Sequence, residues 1–82
     1  MTISINFIGF QKNQTQTNRV RVRLSDKVKV VADLFGLLKD MYPDLILRKD
    51  AVLVTVNNNA TSLDQRLRAN DEISFIPHIG GG

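Results

Sequence analysis

The chain has 82 residues, 23% of them charged, with a formal net charge of +3 and no cysteine. That length makes one small domain, hiding only about 60–65% of its unfolded surface in a single core. The lack of thiols excludes disulfides, thiolate metal sites and any mechanism that carries sulfur on a side chain.

Met1–Ser4 has neither the charged region nor the apolar run of a signal peptide. No apolar stretch approaches the roughly 18–20 residues that cross a bilayer. A soluble, cytoplasmic protein is therefore expected. In chain order, Ile3, Ile5 and Phe7 alternate with Thr2, Ser4 and Asn6, the period of a half-buried strand. Lys12–Asn18 is polar and rich in Gln, Asn and Thr, and reads as a mobile connection between two hairpin strands. The second strand covers Arg19 to Leu24. There Arg19, Arg21 and Arg23 alternate with Val20, Val22 and Leu24, so three guanidinium groups share one face. This is a candidate charged docking face for an acidic protein or nucleic acid. A solvated outer face is the plain alternative, and no stacking aromatic accompanies the arginines to favour nucleic acid.

The period then changes. Val31, Leu34, Leu38 and Met41, widened by Val30 and Leu37, form the apolar stripe of one amphipathic helix. It is expected to start within 26–30 and to end by Tyr42, because Pro43 disfavours helical angles at the residue before it. Gly36 inside it reads as a point of close packing, since glycine there costs about 1 kcal/mol relative to alanine. After a charged connector, Arg48 to Asp50, a third strand carries Val52, Val54 and Val56 on one side and Leu53 on the other. Asn57-Asn58-Asn59 supplies a tight turn, asparagine being the residue after glycine that best accepts positive φ. Ala60–Ser62 makes a short return strand, Leu63 and Leu67 plug the core, and Asn70-Asp71-Glu72 turns into the last strand, Ile73 to Pro77. This order predicts an α+β fold: a mixed four- to five-stranded sheet with one helix packed across it. The last strand should run parallel to the first in the middle. Residues 1–77 form the domain and 78–82 a flexible glycine tail.

Little in the body carries chemistry. His78 has no second histidine, cysteine or carboxylate at ligand spacing, so no metal is expected. No serine has a partner base, Asp71 and Glu72 point apart as adjacent residues of a solvated turn, and no glycine-rich loop opens a helix. The tail is different. Gly80-Gly81-Gly82 follows a strand directly, and glycine has no Cβ to clash inside a narrow pocket. From Ile79 the arm reaches at most about 13–14 Å, at about 3.3–3.6 Å per residue. Its α-carboxylate would need activation, for which an acyl adenylate made with ATP is suited. A frayed terminus is the plain alternative. With Ile73 and Phe75 facing the helix, Ile76 points outward beside Ile79 and His78, a candidate partner interface. In the alternative, Ile76 packs near Ile8 and Phe10.

Val54-Thr55-Val56-Asn57, Asn70-Asp71-Glu72-Ile73 and Pro77-His78-Ile79-Gly80-Gly81-Gly82, together with Val31-Ala32-Asp33-Leu34, resemble the MoaD/ThiS family of ubiquitin-like sulfur carriers. The resemblance runs along nearly the whole chain and is nearest to the small subunit of molybdopterin synthase. It implies a β-grasp fold and a carrier with no catalytic apparatus of its own. It also implies that Gly82 is adenylated by a ubiquitin-activating-type enzyme using ATP and magnesium, then converted to a thiocarboxylate. Gly81 and Gly80 would be the tail needed for activation, and a molybdopterin synthase large subunit would take the sulfur. Asn58 and Asn70 stand where the family has glycines, His78 where it has a second proline, and Gly80 where it has Ala or Ser. The same activated glycine could instead be joined to lysines of target proteins. A third reading is a binding module that uses the arginine face.

Overall fold

The computed structural model describes residues 1–78. Its strands are β1 (Thr2–Asn6), β2 (Arg19–Arg23), β3 (Val52–Val56), β4 (Asn59–Ala60) and β5 (Glu72–Pro77), and its helices are α1 (Phe10–Thr15) and α2 (Asp33–Met41). The sheet order is β2-β1-β5-β3-β4. β5 sits in the middle, parallel to β1 and antiparallel to β3, and β2 and β4 form the edges.

Register divides the side chains cleanly. Ile5 lies beside Val20 on one side and Ile73 on the other, and Val54 beside Phe75. Those residues face α2, whose Leu34, Phe35 and Leu38 are buried with Ile3, Ile5, Phe7, Val54, Ile73 and Phe75 in one cluster. Phe35 meets Phe75 edge-on at 5.3 Å and Phe7 meets Tyr42 at 5.5 Å, the geometry that aromatic quadrupoles favour. Leu67 is buried and Leu63 packs against the same cluster.

Four expectations need correction. The polar stretch after β1 is not a structureless connection, because Phe10–Thr15 forms α1, so the sheet carries two helices rather than one. α1 has no apolar stripe; buried polar groups dock it. The Gln11 side chain donates to the Phe75 carbonyl at 2.8 Å and accepts from the Ile8 N–H at 3.0 Å, while the Thr15 hydroxyl donates to the Gln11 carbonyl. The turn into α1 places Gly9 at φ +60°, where a Cβ would be strained. Second, α2 starts at Asp33 rather than within 26–30. The backbone before it is spent on a neighbouring segment: Val31 N–H donates to Gln65 O, Ala32 N–H to Leu63 O, and Leu67 N–H to Lys29 O. Pro43 ends the helix as expected, with Tyr42 at φ −133°, ψ 84°.

Third, Gly36 is not a packing point: it is exposed, and a Cβ there would meet no atom within 4 Å. Fourth, Asp71 is buried rather than solvated. Its carboxylate accepts from Asn57 Nδ2 at 3.0 Å and from the Arg68 N–H at 2.8 Å. The β3–β4 turn is also tighter than expected. Asn57 and Asn58 alone make it, at φ 53° and 70°, with Asn59 already paired to Val56. Two positive φ values in a two-residue loop match the twist of the flanking strands. Asn70 likewise holds φ 69°, so asparagine takes the turn angles at both positions.

Candidate functional site

β5 is flanked on both sides, so the chain reaches Pro77 on the most constrained strand of the sheet. Beyond it, the His78 N–H donates to the Ala51 carbonyl at 3.0 Å, fixing the backbone one residue further. Ile79, Gly80, Gly81 and Gly82, four of the sequence-derived site residues, lie outside the described residues. What the structure defines is the root from which they leave.

The root has two faces. Pro77 lies on the α2 side. It lines a groove of about 290 Å³ with Ile8, Phe10, Gln11, Gln14, Ile46, Arg48, Ala51 and Val52. Phe10 is 82% exposed and Ile46 70%, so the groove offers apolar surface to solvent beside Pro77. Ile76 lies on the opposite face, half-buried, across from Leu53. Ile8 and Phe10 belong to the groove, so of the two placements for Ile76 the outward one is the structural one. His78 is exposed at the boundary between the faces.

Gln11 closes the gap that the sheet leaves at the root. β1 pairs with β5 only as far as Ser74, so the Phe75 carbonyl meets the Gln11 amide instead of a strand. Gln11 and Ile46 escaped sequence reading because they follow neither a period of 2 nor of 3.6, and Phe10 entered it only as a candidate neighbour of Ile76. The one available signal was a lone phenylalanine at the head of a polar run.

On the face that Ile76 shares, Arg19, Arg21 and Arg23 project from β2 beside Asn6, Ser4 and Thr2. Arg19 pairs with Glu72 at 3.1 Å, both side chains about half exposed, a contact worth at most about 1 kcal/mol. Among the described residues, no group of three or more His, Cys, Asp or Glu could hold a metal ion, and no helix is long and apolar enough to cross a membrane. One carboxyl has a resolved shift. Asp33 is held below the usual carboxylate range, first by the Lys29 N–H and then by the Val30 N–H, and it organises the start of α2 rather than the root.

A family model described as the ThiS family matches residues 5–82, from β1 to the last glycine. The chain belongs to the ThiS family. The molybdopterin synthase sulfur carrier subunit of Dictyostelium discoideum is 36% identical over 52 residues, which is 61% of this chain and 60% of that relative. The match thus spans less than two thirds of the relative's length. SAMP1 from Haloferax volcanii has the same fold at a TM-score of 0.81 and 22% identity, each chain covered completely. A chain in the complex of subunits 1 and 2 of molybdopterin-converting factor from Helicobacter pylori superposes at a TM-score of 0.70 with 19% identity, again over the whole of both chains. The fold of this ThiS-family chain is therefore the ubiquitin-like β-grasp, with an open five-stranded sheet. At such identities the solved structures speak for fold alone. Its place in the ThiS family rests on the family match.

Proposed function

We propose that this chain carries sulfur on its C-terminal carbonyl in molybdopterin biosynthesis, as the small subunit of a molybdopterin synthase. The Gly82 carboxylate attacks the α-phosphorus of ATP in a ubiquitin-activating-type enzyme with magnesium; pyrophosphate leaves and an acyl adenylate forms. A sulfide-level nucleophile then attacks that carbonyl, AMP leaves, and the product is a thiocarboxylate. The large subunit of the synthase receives the tail and takes the sulfur. In this reading the chain performs no catalysis, and the reactions belong to its partners.

The observation that carries the reading is the family match through Gly82, joined to a central strand that ends at Pro77. A body anchored there leaves the four residues after His78 for another protein's active site. Gly81 and Gly80 keep the approach to the carbonyl open, and Ile76, His78 and Ile79 meet the partner at the root. The test is the intact mass of protein isolated from its source, which should include a species heavier by one sulfur-for-oxygen exchange. Removing Gly81 and Gly82 should abolish adenylate formation and leave the melting temperature within about 2 °C, because glycines bring no side chain to bury. A truncated chain that is still adenylated refutes the proposal.

A second reading has support from SAMP1, described for Haloferax volcanii as a small archaeal modifier protein: the same adenylate could deliver Gly82 to lysines of target proteins. Conjugates of raised mass, cleavable at a glycine–lysine bond, would mark that role.

A further inference from the structure

The sheet face turned away from α2 has a graded character. At the β2 edge stand Arg19, Arg21 and Arg23; at the β3 side stand Leu53, 42% exposed, and Ile76. The arginines are not loose. Arg19 Nη2 and Arg21 Nη1 each donate to Ser4 Oγ at 3.1 Å, using both lone pairs of that hydroxyl. Ser4 is only 1% exposed, so the two guanidinium groups lie over the strand as its cover. Arg19 Nη1 also reaches Glu72 Oε1 at 3.1 Å, where Asn6 Nδ2 donates at 2.9 Å, and Arg21 Nη2 touches Asn70 Oδ1 at 3.4 Å. Arg23 makes no side-chain hydrogen bond among the described residues.

Glu72 is the one carboxylate on this face among the described residues. Three arginines against one glutamate leave an excess of two positive charges (3 − 1), on side chains already held in place. Strand geometry puts Arg19 and Arg23 about 13 Å apart, at about 3.3 Å per residue. It puts Ile76 about 12 Å from Arg19, two strands across and one side-chain repeat along. We propose that this face docks an acidic protein surface, and that the surface belongs to the adenylating enzyme that activates the chain. The partner's identity rests on the carrier reading above; the chemistry of the face does not.

Three observations favour carboxylates on a protein. Guanidinium groups pair well with carboxylates, and Arg19 Nη1 already meets Glu72 Oε1 at 3.1 Å. Two of the three forks are pinned by Ser4, so little rotamer entropy is lost when a partner arrives. The face also ends in Leu53 and Ile76 at the tail root, apolar surface that a protein can cover, and among the described residues it carries no aromatic ring on which a base could stack.

The test has two arms. In the first, the 82-residue chain is titrated with an octapeptide of alternating glutamate and threonine, and separately with an eight-nucleotide oligothymidylate, while backbone amide shifts are followed. The peptide should give saturable shifts in β1, β2 and the start of β5, lost in R21Q/R23Q. Arg23→Gln alone, which removes no side-chain hydrogen bond or ion pair among the described residues, should weaken binding about threefold or more, since a charge facing carboxylates contributes measurably to association. No saturable shift, or an equal response to oligothymidylate, overturns the proposal. In the second arm, pyrophosphate exchange by the adenylating enzyme of the source organism is measured against chain concentration and salt. R19Q/R21Q/R23Q should raise KM about tenfold or more with kcat unchanged, and flatten the salt dependence. An unchanged KM, with the wild-type chain active, overturns the docking face and leaves the carrier reading intact. A wild-type chain that supports no exchange overturns the carrier reading and the partner's identity, while the first arm still decides the chemistry of the face.

Discussion

Replacing Gln11 with methionine tests the contact that ties α1 to the tail root. Methionine keeps the length and flexibility of the side chain and fills the same space. The change removes two hydrogen bonds, at 2.8 Å to the Phe75 carbonyl and 3.0 Å from the Ile8 N–H. Gln11 is only 5% exposed and Phe75 is fully buried, so water cannot readily replace the lost donor at that carbonyl. Ile8 is exposed, and its N–H can turn to solvent. The Ile8 bond at about 1 kcal/mol, with about 1–3 kcal/mol for the stranded buried Phe75 carbonyl, places the loss at about 2–4 kcal/mol. A domain of this size has roughly 4–12 kcal/mol in total. The melting temperature should therefore fall by about 8–32 °C, at about 4–8 °C per kcal/mol. Calorimetry or denaturation followed by circular dichroism measures it. A fall under about 3 °C would mean that α1 is held by something other than this amide, and the account of the root would be wrong.

Three further outcomes follow from the same structure. Gly36→Ala should stabilise the protein by about 0.8–1 kcal/mol, because the glycine is exposed inside a helix and a Cβ meets nothing within 4 Å; thermal unfolding reads the gain directly. Asn58→Ala should cost about 1–2 kcal/mol, the strain of a left-handed residue, whereas Asn58→Gly should be tolerated at φ 70°; the pair is compared by urea titration. Asp33 has a depressed pKa in the folded protein, so its contribution is present above the ordinary carboxylate pKa and is lost as pH falls through that value toward the folded one. Asp33→Asn should flatten the acid limb of the stability profile and leave the region above pH ~7 nearly parallel to wild type.

Much of this protein was legible in its residues alone. Alternation at Ile3–Phe7, Arg19–Leu24 and Val52–Val56 determined strands and the faces they turn inward, because side chains on a strand alternate with a period of two. The 3.6-residue stripe and Pro43 determined α2 and its end, and the asparagines marked the turns. Period-based reading fails where burial is achieved by hydrogen bonding rather than by apolar pattern. Gln11 and Thr15 dock a helix through amide and hydroxyl groups, and Asp71 is buried because Asn57 and Arg68 satisfy it. The start of α2 could not be read locally either, since Lys29, Val31 and Ala32 bond to residues more than 30 positions away. Only the folded chain brings Phe10 and Ile46 beside Pro77, and only there does Ser4 lie beneath two arginines. Local pattern decides which face a residue turns to; what it meets on that face depends on strands distant in sequence.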